Sequence, residues 1–97
     1  MAAYLIANIT VRNPARFEEY RAAVPAVIAR FGGRYLVRGG AVEAREGEPG
    51  LNRLVILEFP DMPAARAFYD SAEYAPLLAL RLASTTGSVA LVEGIAA

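Results

Sequence analysis

Proline and glycine cut the hydrophobic pattern of this chain into six stretches, and their order decides what the chain can fold into. Tyr4–Val11 is apolar and β-branched, which predicts a first strand. Asn13 followed by Pro14 supplies an N-cap and a first helical residue. Phe17, Tyr20, Val24, Val27/Ile28 and Phe31 then recur at three and four, the spacing of one helix face. Pro25 interrupts that helix, which predicts a kink or a short second helix starting there. Gly32 suits a helix C-terminus. Arg34–Arg38 is a second strand, broken by Gly39-Gly40 and expected to resume through Ala41–Glu46. Gly47-Glu48-Pro49-Gly50 is turn chemistry, and Leu51–Phe59 a third strand ended by Pro60. Asp61 caps a second helix that carries Pro63 in its first turn and turns Ala65, Phe68 and Tyr69 inward. Asp70-Ser71 interrupts it, Ser71 can cap a further turn, and Pro76 restarts a helix that carries Leu77, Leu78, Leu80, Arg81 and Leu82. Thr85-Thr86-Gly87 is expected as a loop, Ser88–Glu93 as the fourth strand, and Gly94–Ala97 as a loose end.

The order β-α-β-β-α-β, without linker or repeat, predicts a single domain over residues 1–97. It is an α+β, ferredoxin-like sandwich: an antiparallel four-stranded sheet with its helices on one face. Alternation along strands divides their side chains into two sets. Leu5, Ala7, Ile9, Val11, Tyr35, Val37, Val55, Leu57, Phe59, Ala90 and Val92 form the set expected against the helices. Tyr4, Ile6, Asn8, Thr10, Arg34, Leu36, Arg38, Leu54, Ile56, Glu58, Val89, Leu91 and Glu93 form the other. That second set is too apolar to face water, since each large aliphatic left exposed forgoes roughly 1.5–3 kcal/mol. The economical expectation is a homodimer with two sheets face to face.

Composition narrows the chemistry. The 97 residues are 56% apolar, yet no run reaches the length that spans a bilayer. Met1–Val11 lacks the basic segment and cleavage pattern of a signal peptide, so the cytoplasm is the expected compartment. Ten arginines balance ten acidic residues, with no lysine and no block of like charge, which argues against nucleic-acid or membrane partners. Cysteine and histidine are absent, so thiolate chemistry, Cys/His zinc sites and histidine-based triads are excluded. No carboxylate run suggests a calcium loop and no glycine-rich phosphate motif occurs, so neither metal nor cofactor is expected. Catalysis, if present, falls to Tyr, Arg, Asp, Glu, Asn, Ser or Thr.

Parity changes across Gly39-Gly40, from odd apolar residues before it to even ones after it, which predicts a β-bulge there. With a hairpin tip at Gly47-Glu48-Pro49-Gly50, that bulge sets Arg38 opposite Glu58. Such a pair can anchor a small polar or aromatic molecule, with Glu58 as a base, or it can simply lock strand pairing or the dimer. Asn8 and Arg34 share the face, and Asn8 either orients a ligand or bonds Glu58 or a second subunit. Tyr20 reads as core packing with its hydroxyl satisfied at an edge. Tyr69 and Tyr74 either pack or line a pocket mouth. Arg81 reads as a helix-surface charge or a partner of Glu73 or Asp70. The two functional readings are therefore a cofactor-free enzyme or small-molecule binder, and a structural domain whose polar residues only specify dimerisation.

Asn8-Ile9-Thr10-Val11 with Pro14, Tyr20 before Val24-Pro25, Gly32 to Gly40, Leu57-Glu58-Phe59-Pro60, and Phe68 to Tyr74 with Arg81 occur in this order. Together they resemble the small bacterial family called domain of unknown function 1330, over nearly the whole chain. The resemblance implies a ferredoxin-like fold in the dimeric α/β-barrel superfamily. That superfamily includes cofactor-free monooxygenases, muconolactone isomerases and haem-binding chlorite dismutases. The family itself has no assigned activity. Its motif positions map onto Asn8, Tyr20, Arg34, Arg38, Glu58, Tyr69, Tyr74 and Arg81. The absence of histidine departs from the haem-binding branch, and the absence of histidine and tryptophan departs from the quinol monooxygenases.

Overall fold

The computed structural model describes residues 1–96. The elements are β1 (Ala3–Val11), α1 (Pro14–Arg30), β2 (Arg34–Arg38), β3 (Arg53–Phe59), α2 (Met62–Tyr69), α3 (Ala75–Ser84) and β4 (Thr85–Glu93). The four strands form one antiparallel sheet in the order β2-β3-β1-β4, with the helices against one face. Every second residue of β1 from Ala3 to Ile9 is buried, joined by Leu57 and Phe59 of β3. Phe17, Val24, Val27 and Ile28 of α1 and Ala65 and Phe68 of α2 close the core from the helix side. Phe68 is its hub: its ring lies 5.4 Å from Phe59, 4.5 Å from Tyr74 and 6.1 Å from Phe31.

The expected stops and starts are made as the residues dictate. The Asn13 and Asp61 side chains accept from the backbone N–H groups of Arg16 and Ala64, and Ser71 Oγ accepts from that of Tyr74. The end of α1 needs both of its glycines. Gly32 has φ +78°, its N–H bonds to the Ala29 carbonyl, and that of Gly33 bonds to the Ile28 carbonyl. A Cβ on Gly33 would sit 2.6 Å from the Phe59 ring, so the chain enters β2 only through a residue without one.

Five expectations are corrected. α1 runs through Pro25 as one helix, so the alternative of a second helix starting there is not realised. Residues 41–46 form no strand, because the chain leaves the sheet after Arg38 and returns at Arg53, two residues later than the expected Leu51. Thr85-Thr86-Gly87 is not a loop: β4 begins directly after Ser84, with Val11, Thr10 and Ile9 as its partners. Consequently Val89 and Leu91 lie opposite Ala7 and Leu5 on the helix face, and Ala90 and Val92 lie on the outer face, the reverse of the expected split. Both pairs are apolar, so alternation alone carried no sign.

The fifth correction matters most for function. The bulge in β2 lies between Tyr35 and Val37, within the strand and before the glycine pair. Arg34 therefore faces Glu58, while Val37 moves to the outer face opposite Ile56 and Arg38 to the helix face opposite Val55. At the chain's end Gly94 is held, its N–H bonding the Ala2 carbonyl at 2.8 Å, while Ile95 and Ala96 are exposed and Ala97 lies outside the described residues.

Candidate functional site

The bulge divides the residues singled out from sequence into two groups on opposite faces of the sheet. On the outer face, Glu58 accepts from Arg34 Nε and Nη2, each at 2.7 Å. Asn8 is fully used by the returning loop: its Nδ2 donates to the Gly50 carbonyl at 3.0 Å and its Oδ1 accepts from Asn52 N–H at 2.9 Å. Asn52 Nδ2 donates in turn to Thr10. The pairing of Arg38 with Glu58 is not made, and Asn8 bonds neither Glu58 nor a ligand-facing group.

On the inner face, between the helices and the sheet, lies an open-mouthed cavity of about 540 Å3, solvent at the mouth included. Leu5, Ala7, Val55, Leu57 and Val89 form its floor, and Phe17, Val24 and Phe68 are among its helix-side walls. Its polar groups are three tyrosines, Tyr20, Tyr35 and Tyr74, and four arginines, Arg21, Arg38, Arg53 and Arg81. Among the described residues no carboxylate lines it. Arg21 is answered outside the cavity by Glu18 at 3.1 Å. Among the described residues, Arg38, Arg53 and Arg81 have no carboxylate within ion-pair distance.

Arg81 is only 7% exposed. It lies seven residues, two helical turns, beyond Tyr74, so both project from the same side of α3. Its Nε donates to the Tyr74 hydroxyl and its Nη2 to the Tyr69 hydroxyl, both at 3.3 Å. The Tyr74 and Tyr20 hydroxyls share a further hydrogen bond of 2.9 Å. The expected partners are otherwise engaged or absent, since Glu73 pairs with Arg30 across to α1. Burial works against the charge on Arg81. The three tyrosine oxygens more than offset it and leave the guanidinium pKa raised. Burial, reinforced by Tyr74, pushes the Tyr20 hydroxyl far above its ordinary value, so it stays a neutral donor.

Arg38 is placed by a vacancy in α1. Pro25 has no N–H to give the Arg21 carbonyl four residues earlier. That carbonyl accepts from Arg38 Nη2 instead, at 3.2 Å. The Arg38 guanidinium also lies 4.5 Å from the centre of the Tyr35 ring, a cation–π contact. Burial raises the Tyr35 hydroxyl pKa, and Arg38 opposes that. Sequence reasoning missed Arg53 altogether. It continues the inward alternation of Phe59, Leu57 and Val55 by one more step, and that parity was the available signal. Its guanidinium lies 5.1 Å from the Phe17 ring centre and against Gly39, where a Cβ would come within 2.6 Å of Nη1. Arg53 Nε is buried with no hydrogen-bond partner.

A ferredoxin-like α+β domain with a basic, tyrosine-lined cavity between sheet and helices is thus the class that fold and site define. The chain belongs to the family described as a domain of unknown function (DUF1330), whose model matches residues 2–95. No curated protein matches the sequence. Among solved structures it is similar to RPA0582 of Rhodopseudomonas palustris, a protein of unknown function. The TM-score is 0.75 at 13% identity, covering 99% of this chain and 84% of that one. It is also similar to a mutant of SnoaB, a cofactor-independent oxygenase from Streptomyces nogalater. That TM-score is 0.72 at 22% identity, covering 99% of this chain and 95% of that one. At these identities the likeness is one of fold.

Proposed function

We propose that the protein binds a small aromatic molecule in the inner cavity and transforms it without a cofactor, working as a homodimer. The observation that carries the reading is Arg81, a buried cation whose partners inside the cavity wall are all tyrosine hydroxyls. Hydrogen-bond donors and a fixed charge in an apolar surround stabilise an oxygen that becomes negative during reaction, and do so without reorganising. One hydroxyl of the Tyr20–Tyr74 pair donates to the other, which leaves one O–H to donate to the substrate oxygen, and Arg81 supplies the field. No carboxylate or histidine stands by as a base, so the substrate must be acidic enough to lose its proton to water at the mouth. A phenol or an enolisable ketone meets that need.

The cofactor-independent oxygenase of the same fold suggests dioxygen as the co-substrate. A ring methylene then becomes a carbonyl: one oxygen atom enters the product, and the other leaves as water with the methylene's two hydrogens. The test uses anthrone as probe and an oxygen electrode. Consumption above the spontaneous rate is expected, and its loss in Arg81→Met. Absence of both anthrone binding and turnover overturns the reading.

The homodimer rests on the outer face, where Ile6, Leu54, Ile56, Val37 and Val92 leave aliphatic surface only partly covered. Light scattering at working concentration checks it, and a stable monomer would end it. The outer-face polar residues favour the non-catalytic reading for themselves: Arg34, Glu58 and Asn8 already satisfy one another or the 39–52 loop.

A further inference from the structure

We infer that the cavity's ligand carries a carboxylate on a planar apolar body, seated on Arg53 and Arg38 at the mouth. This rests on the cavity being the binding site, but it assigns to the mouth a separate recognition role. Arg38 lies opposite Val55, and Arg53 is two residues before Val55 on the same strand. The two arginines are therefore diagonal neighbours on one face, with Cα atoms about 7–8 Å apart. At that spacing one anionic group can answer both guanidiniums. Among the described residues no carboxylate does.

The placement is built rather than incidental. Gly39 leaves the space that the Arg53 guanidinium fills, and Pro25 frees the carbonyl that holds Arg38. Phe17 and Tyr35, the rings beneath the two guanidiniums, also line the cavity, so the charges border an apolar slot. The Arg53 Nε–H has no acceptor among the described residues, and a carboxylate in the slot would supply one. A planar carboxylate matches a guanidinium in shape and charge. Arg81, deeper in the cavity, keeps its hydroxyl partners and remains available to the reacting end.

The experiment is calorimetric titration of the protein with 2-naphthoate and with 2-naphthamide, the same body without the charge. Naphthoate is expected to bind at least ~10-fold tighter, with its advantage reduced by added salt. Arg53→Gln should erase that advantage, since it removes one of the two guanidiniums that answer the carboxylate. Arg38→Gln, at the exposed mouth, gives the same loss of preference and serves if Arg53→Gln does not fold. Arg66→Gln, on the outside of α2, should change nothing. Equal binding of acid and amide, or a preference that survives both variants, overturns the anion assignment and leaves the cavity reading intact. Failure of both probes and of anthrone overturns the two together.

Discussion

On the outer face of the sheet Arg34 meets Glu58 at 2.7 Å, whereas on the inner face Arg38 and Arg53 meet no carboxylate among the described residues. The outer charges are neutralised within the chain, and the outer amide of Asn8 spends its hydrogen bonds on the backbone of the 39–52 loop. The inner polar groups are positioned by groups that leave their charge intact: a proline-freed carbonyl, aromatic faces and tyrosine hydroxyls. A face whose polar groups are mutually satisfied has little left for a ligand. The proposed binding site falls on the face whose cations are positioned but unneutralised.

The comparison is sharpest in packing. Phe68→Ala removes the ring that Phe59, Phe31 and Tyr74 surround, and is expected to cost ~3–5 kcal/mol in chemical denaturation. Ile56→Ala on the outer face is expected to cost no more than about 2 kcal/mol, because that side chain is already partly exposed in the single chain. If the proposed homodimer forms through this face, the larger effect of Ile56→Ala should be on association, read by light scattering across a concentration series. Equal costs at the two sites would mean that the outer face is packed like a core.

Element order, caps and the helix-facing half of β1 were legible because each rests on local chemistry: an Asn-Pro start, an Asp or Ser cap, a glycine pair after a helix. The fold family was legible because those signals arrive in one order. What was not legible depended on register. The bulge sits one residue after Tyr35 rather than at the flexible glycines, and that shift carries Arg38 from the outer face to the inner one. The candidate pair Arg38–Glu58 became two separate things, a mouth cation and half of an outer ion pair. Arg81 reads in sequence as a helix-surface charge or a partner of Glu73 or Asp70, because its acceptors in the fold are tyrosines, which no charge-pairing rule anticipates.

Tyr74→Phe tests the inner network without opening a cavity. It leaves Arg81 Nε and the Tyr20 hydroxyl short of a partner, so ~1–3 kcal/mol of stability should be lost. Anthrone turnover should fall with it. Stability lost without any effect on turnover would separate the network's structural part from the chemistry assigned to it.

Alkaline pH probes the same tyrosines by their protons. The folded-state pKa of Tyr20 is raised, chiefly by burial, so above about pH 10 the unfolded chain releases a proton that the folded one keeps. Stability contributed in this way is complete below pH 10 and falls as pH rises beyond it, at up to about 1.4 kcal/mol per pH unit for this one group. Urea midpoints at pH 9, 10 and 10.5 should show the decline, and Tyr20→Phe should flatten it.

The smallest effect belongs to the outer pair. Arg34 is 70% exposed, and screening leaves such a pair about 0–1 kcal/mol, so Glu58→Gln should barely move the unfolding midpoint of dilute protein. Its value lies in concentration. Glu58 is only 24% exposed even without a partner, and a second sheet laid over this face would bury it further. Leaving Arg34 unpaired there would cost several kcal/mol, because a buried charge that loses its partner is worse than no charge at all. A Glu58→Gln penalty that stays under ~1 kcal/mol at every protein concentration places the pair at the rim of any dimer. A penalty that appears only where the protein associates places it inside, where it would act as the lock between sheets.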